Sequence, residues 1–308
     1  MNLMSVLSHM DRNGDYHTSD TLLKIAIDLE IQNQIGRGGF GIYHSNYNKQ
    51  QLQHIKNRMG LPMQSNMGIK EFHNYSSLTT IIKEIVPAIL FPKIINKYTD
   101  LNAVEISIPS FTWALRNRSM ISPRASGVDW QAVGSEQFLS QHPARTDFEF
   151  RIFEAIQPYF HSEIDGFILI ELSKIGILWT DRHGGNYMVD AGYSNLISQK
   201  ITELVGISME NTTINPQDYE GEYYQPGRKM SWEVARELSS KIDPLASEWM
   251  DLHSPSGHIT IIDFGFMKAE PESPAGKEVY DFLSKLEPYI NKNSLIANIH
   301  RAGNYLLE

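Results

Sequence analysis

The stretch Trp179-Thr180-Asp181-Arg182-His183-Gly184-Gly185-Asn186 sets a carboxylate and a carboxamide five positions apart in a loop with an apolar segment on either side. A helical pattern over 163–175 ends on Gly176, a good helix terminator, and Tyr187–Val189 reads as a short strand. Far downstream a second acid follows directly on an apolar strand, in Ile259-Thr260-Ile261-Ile262-Asp263-Phe264-Gly265. Asp181 can accept a proton from a hydroxyl, while Asn186 and Asp263 offer oxygens of the kind a hard cation takes.

The remainder of the chain has two characters. Residues 1–20 form a turn-rich leader; Asp11-Arg12-Asn13-Gly14-Asp15 lacks the spacing and the closing Glu of a calcium loop. From Leu23 to Ile31 apolar residues alternate as in a strand, although the Leu and Ala content also allows a short helix. That strand leads into Gly36-Arg37-Gly38-Gly39-Phe40-Gly41, between extended segments. A dinucleotide fingerprint would open a helix instead. Glycines in a hairpin let backbone N–H groups approach phosphate oxygens, although an ordinary glycine-rich hairpin is the alternative. A polar passage over 44–66 precedes the strand Met67–Phe72, which carries Lys70. A helix capped by Ser76 carries Glu84, and Pro87 should kink or end it. Short strands are expected at 93–98 and 103–108.

After Pro109, residues 116–145 read as loop, followed by helices at 146–160 and 163–175. Between Asn186 and Asp263 lie 76 residues. Within them, 191–257 form an insertion with a Tyr/Glu/Pro-rich centre at 218–226 and a helix at 231–241. Two further helices are expected at 276–290 and 293–306. The expected organisation is a leader at 1–20, an N-terminal lobe at 21–110 and a C-terminal lobe at 111–308 that carries the insertion.

Composition excludes several chemistries. A net charge of −9 over 308 residues, without a long basic run, argues against nucleic acid as partner. The absence of cysteine removes disulfides, thiolate catalysis and Cys-ligated zinc. No apolar stretch approaches the roughly 18 residues of a transmembrane helix, and Met1–Asp20 lacks the pattern of a signal peptide. A cytoplasmic location without a transmembrane segment is the expectation.

Taken in order, the glycine loop, strand lysine, helix glutamate, Asp181/Asn186 pair and Asp263-Phe264-Gly265 resemble the protein kinase superfamily over about residues 28–110 and 146–268. The resemblance implies an α+β, two-lobed fold, with a small antiparallel-sheet N-lobe and a mostly helical, trimmed C-lobe. It implies ATP and Mg²⁺ as cofactors. Gly36, Gly38, Gly39, Phe40 and Gly41 would cover the phosphates. Lys70 would contact them and pair with Glu84, although Lys56 is a rival. Asp181 would act as base, and Asn186 and Asp263 would hold Mg²⁺.

Departures point to an atypical member. Trp179 and Thr180 stand where the family commonly has a His-Arg pair, and His183 stands where it has a lysine. The string Asp181-Arg182-His183-Gly184-Gly185-Asn186 is more similar to phosphoinositide 3/4-kinases and to aminoglycoside phosphotransferases. His183 is read as a phosphate contact against the alternative of a packed histidine, and Trp179 as core. The expected activity is serine/threonine protein kinase, with a protein substrate as partner. Two alternatives remain: a lipid or small-molecule acceptor, and a pseudokinase scaffold that binds nucleotide without transfer.

Overall fold

A computed structural model describes residues 41–44, 67–73, 75–135, 147–211 and 232–308. The leader, the strand expected at 23–31, Gly36 to Phe40, Lys56 and the insertion's centre lie outside these residues. The described chain is α+β, with seven α-helices and three small sheets. Two compact units are assembled from separate segments. The first takes residues through Leu90 with Val104–Arg124 and Asp281–Leu306; the second takes Phe91–Ala103, Ala125–Tyr280 and Leu307–Glu308.

In the first unit, β2 (Met67–Phe72) is the middle strand of an antiparallel sheet between β1 (Gly41–His44) and β4 (Ser119–Pro123). Lys70 stands opposite Tyr43 on one side and Met120 on the other. Strand alternation puts Lys70 on the same face as the buried Phe72. Helix α1 (Leu78–Tyr98), which belongs to this unit through Leu90, starts at Ser77, whose Oγ accepts from the Thr80 N–H, one residue later than expected. Its buried stripe of Ile81, Ile85 and Ala88 includes Glu84 at helical spacing. Helix α2 (Phe111–Asn117) is capped by Ser110 and ends at Arg118 in the left-handed region.

The second unit holds the four-stranded sheet β3-β8-β7-β5. Its strands are β3 (Asn102–Ala103), β5 (Val128–Asp129), β7 (Tyr187–Val189) and β8 (Ile259–Ile261). A separate antiparallel pair joins β6 (Ile177–Trp179) to β9 (Met267–Ala269). Helix α3 (Asp147–Lys174) packs against both α4 (Ala191–Asn211) and α5 (Trp232–Leu252). At its end the chain turns through Gly176 at φ +74°, where a Cβ would stand 2.2 Å from that of Ser273. Helix α6 (Pro274–Leu286) belongs to this unit through Tyr280, and its remainder and α7 (Ser294–Asn304) belong to the first unit. Among the described residues no helix is long and apolar enough to cross a membrane.

Several elements differ from the sequence expectation, each for a physical reason. Helix α1 runs through Pro87 and Pro92 and takes up the strand expected at 93–98. The helix buries Ile85, Val86, Ala88, Phe91, Ile94 and Ile95 around the two prolines, and this burial outweighs the lost backbone bonds. The helices expected at 146–160 and 163–175 are the single helix α3, because Ile156, Phe160, Ile164 and Ile168 continue one buried stripe past Pro158. Strand β4 lies in the passage read as loop. Its serines are buried by pairing with β2, and Ser119 Oγ donates to the Asn117 carbonyl. Of the strand expected at 103–108, only Ala103 joins a sheet, and Ser107 makes an isolated bridge to Ile121.

Candidate active site

Two strand pairs in the second unit deliver the acid-bearing loops to one place. In the β6–β9 pair Trp179 stands opposite Met267, and in the β7–β8 pair Tyr187 stands opposite Ile261. Residues 180–186 and 262–266 are therefore the connections at matching ends of these pairs. The loops are also bonded to one another. The Asn186 carbonyl accepts from the Ile262 N–H at 3.0 Å and the Asp263 N–H at 3.3 Å. Asn186 Nδ2 donates to the Asp181 carbonyl at 2.6 Å. Asn186 is only 6% exposed, so these bonds fix a buried amide plane and leave its oxygen as the end able to meet a cation. One Asp263 oxygen, Oδ1, accepts from the Gly265 N–H at 2.9 Å.

Asp181 and His183 face outward, with side chains 48% and 60% exposed. His183 Nδ1 accepts from the Gly185 N–H at 3.1 Å, which assigns the ring proton of the neutral form to Nε2. Nε2 lies 4.0 Å from Asp181 Oδ2. The loop thus presents an acceptor, the Asp181 carboxylate, beside a donor, the His183 N–H. Of the two readings of His183, the exposed ring does not match a packed core histidine. Trp179 is buried, in keeping with a core role, and its indole N–H has no hydrogen-bond partner among the described residues.

In the first unit, Lys70 Nζ lies 3.8 Å from Glu84 Oε2, with side chains 17% and 11% exposed. The strand and helix that carry them are both held by buried apolar neighbours, so the pair is a product of packing and not of a flexible surface. Gly41 opens β1 opposite Phe72. The Asp181, His183, Asn186 and Asp263 cluster belongs to the second unit.

Sequence reasoning missed the supports of the loop. Trp130 packs on Gly184 so closely that a Cβ there would stand 2.8 Å from the indole ring. Trp130 also lies 4.4 Å from the His161 ring. Asp165 on α3 accepts from the Tyr187 hydroxyl at 2.7 Å and lies 3.8 Å from Arg182 Nε. Arg182 lies in the loop and Tyr187 directly follows it in sequence, and both could have been singled out on that ground. Asp165 and Trp130 meet it only through the fold.

Among the described residues no group of three or more His, Asp and Glu side chains is arranged to hold a metal ion. A magnesium site does not need one, because Mg²⁺ commonly takes one or two protein oxygens and completes its shell with phosphate and water. Asn186 and Asp263 supply two such oxygen donors on loops bonded to each other, and fit a nucleotide-borne cation. Comparison with known protein families, curated proteins and solved structures finds no match to this chain.

Proposed function

We propose that this chain is an ATP- and Mg²⁺-dependent phosphotransferase with an alcohol group as acceptor, and that the acceptor is a serine or threonine of another protein. One observation carries the reading: Asp181 and Asn186, in one loop, and Asp263, far downstream in sequence, form one bonded cluster through the Asn186 backbone and side chain. A half-buried lysine–glutamate pair on a strand and helix supports it, since an ammonium held in place is preorganised for phosphate.

In this reading Asp181 takes the acceptor's proton as the hydroxyl oxygen bonds to the γ-phosphorus and the bond to ADP breaks. The exposed His183 Nε2–H donates to an oxygen of the transferred group. The roles of Lys70, which Glu84 steadies within the first unit, and of Gly36 to Gly41 as phosphate contacts are carried over from the kinase resemblance alone. Asn186 and Asp263 hold Mg²⁺, which neutralises charge on the phosphates when bound.

A second reading, a lipid or small-molecule alcohol as acceptor, draws on the chain after Asp263. Only residues 264–273 separate it from α6, three of them in β9, which leaves little chain on which an extended peptide could lie. Incubation with γ-labelled ATP and Mg²⁺, with and without a cell lysate, followed by separation of protein, lipid and small-molecule fractions, tests both. Label in the protein fraction is expected. Label confined to another fraction selects the second reading, and label in none while nucleotide still binds selects the non-transferring scaffold.

A further inference from the structure

Arg182 follows Asp181 directly, so a cation is built next to the carboxylate that must stay available to a proton. Its side chain is turned to helix α3, where Nε lies 3.8 Å from Asp165 Oδ1. That separation exceeds a hydrogen bond, and the buried Nε has no acceptor among the described residues, so the attraction is one of charge. The same Asp165 oxygen accepts from the Tyr187 hydroxyl at 2.7 Å. Tyr187 is fully buried at the head of β7, directly after Asn186. Burial and the Asp165 carboxylate push its hydroxyl well above the usual phenol range, so it stays a donor and holds the carboxylate in one orientation.

One carboxylate oxygen on α3 therefore binds both ends of the loop that runs from Asp181 to Asn186. It also provides Arg182 with an anion other than Asp181. We infer that Asp165 is a positioning residue of the transfer reaction: it holds Arg182 against α3, keeps that cation off Asp181, and ties the loop to the helix through Tyr187. This rests on the phosphotransferase reading, because Asp181 must be a base for its occupation by Arg182 to matter. A purely structural role for Asp165 would be served by any polar group that accepts from Tyr187. Sequestering a cation requires the negative charge, and the two roles differ in what removing Arg182 does.

The test uses the full chain with MgATP as probe, reading γ-phosphate release to water and the KM for ATP, with thermal melts to confirm folding. Asp165→Asn retains an oxygen for Tyr187 and removes the charge. It should lower kcat by about tenfold to a hundredfold, the scale of a displaced reacting group, with KM changed by no more than about twofold. Asp165→Asn combined with Arg182→Gln should recover most of that loss, because no freed cation remains beside Asp181. A wild-type kcat in the single variant, or a double variant no faster than the single one, overturns the inference. Should Asp165→Asn not fold, Tyr187→Phe replaces it: a lower kcat at unchanged KM is expected, and unchanged kcat overturns the loop tie. Wild-type protein that binds MgATP but neither releases phosphate nor labels any fraction would instead overturn the underlying functional reading.

Discussion

At His161 burial and charge oppose one another. The ring lies beneath Trp130, the residue that seats Gly184, and its Nε2 is 3.3 Å from the Val133 carbonyl. Burial pushes its pKa below the ordinary value, against the smaller opposing pulls of the Val133 carbonyl and Asp165. The folded protein therefore takes up this proton at lower pH than the unfolded chain. The contribution to stability is complete above the unfolded value of about 6.5 and is lost as pH falls through the folded value. One such proton changes stability by at most about 1.4 kcal/mol per pH unit. Melts from pH 8 to pH 5, ordinary laboratory limits of roughly that span for a histidine, should fall more steeply for wild type than for His161→Gln; parallel curves would show that another group is responsible. Nothing in the sequence around His161 announces this role, since its partners come from a separate segment. Asp181, Asn186 and Asp263 were legible because each lies in a short loop beside a short apolar strand, and local spacing limits where such residues go.

Among the elements, β2 and α1 were legible as a lysine strand and a glutamate helix, and packing them brings Lys70 to Glu84. Lys70→Ala should lower turnover by about a hundredfold, the scale for losing one preorganised donor, whereas Lys56→Ala should stay within about twofold. Steady-state rates of the two variants decide this, and the reverse result would assign the phosphate contact to Lys56. The segment 191–257 reads as an insertion, and its ends do meet, with the Asp190 N–H donating to the His258 carbonyl. Its first helix was not legible, because a run with Gly192, Ser194, Asn195, Ser198 and Gly206 suggests a loop until α3 supplies a surface to cover. Helix α4 buries Ile197, Ile201, Leu204 and Val205. At about 1.5–3 kcal/mol per buried side chain, these four alone approach the whole stability of a domain, about 5–15 kcal/mol. Deleting 195–252 should therefore abolish cooperative unfolding of the second unit. A shortened chain that melts as sharply as wild type would reduce α4 and α5 to an appendage. The same tertiary override joined the two expected helices into α3 and carried α1 past its prolines, where local propensity pointed to a break.

At the scale of the whole molecule, the proposed phosphotransferase requires the bonded cluster to transfer a phosphoryl group, and not merely to bind nucleotide. Metal ligands and base should then separate in one measurement: γ-phosphate loss from ATP and ATP affinity, each titrated with Mg²⁺. Wild type, Asp181→Asn and Asp263→Ala are compared under identical conditions. Asp181→Asn should bind MgATP as wild type does yet transfer about a hundredfold to ten-thousandfold more slowly, the usual worth of a general base. Asp263→Ala should lose the Mg²⁺ dependence of ATP binding along with transfer. Transfer by Asp181→Asn at the wild-type rate, or Mg²⁺-dependent binding that survives in Asp263→Ala, would contradict the assignment of these residues and the phosphotransferase built on them.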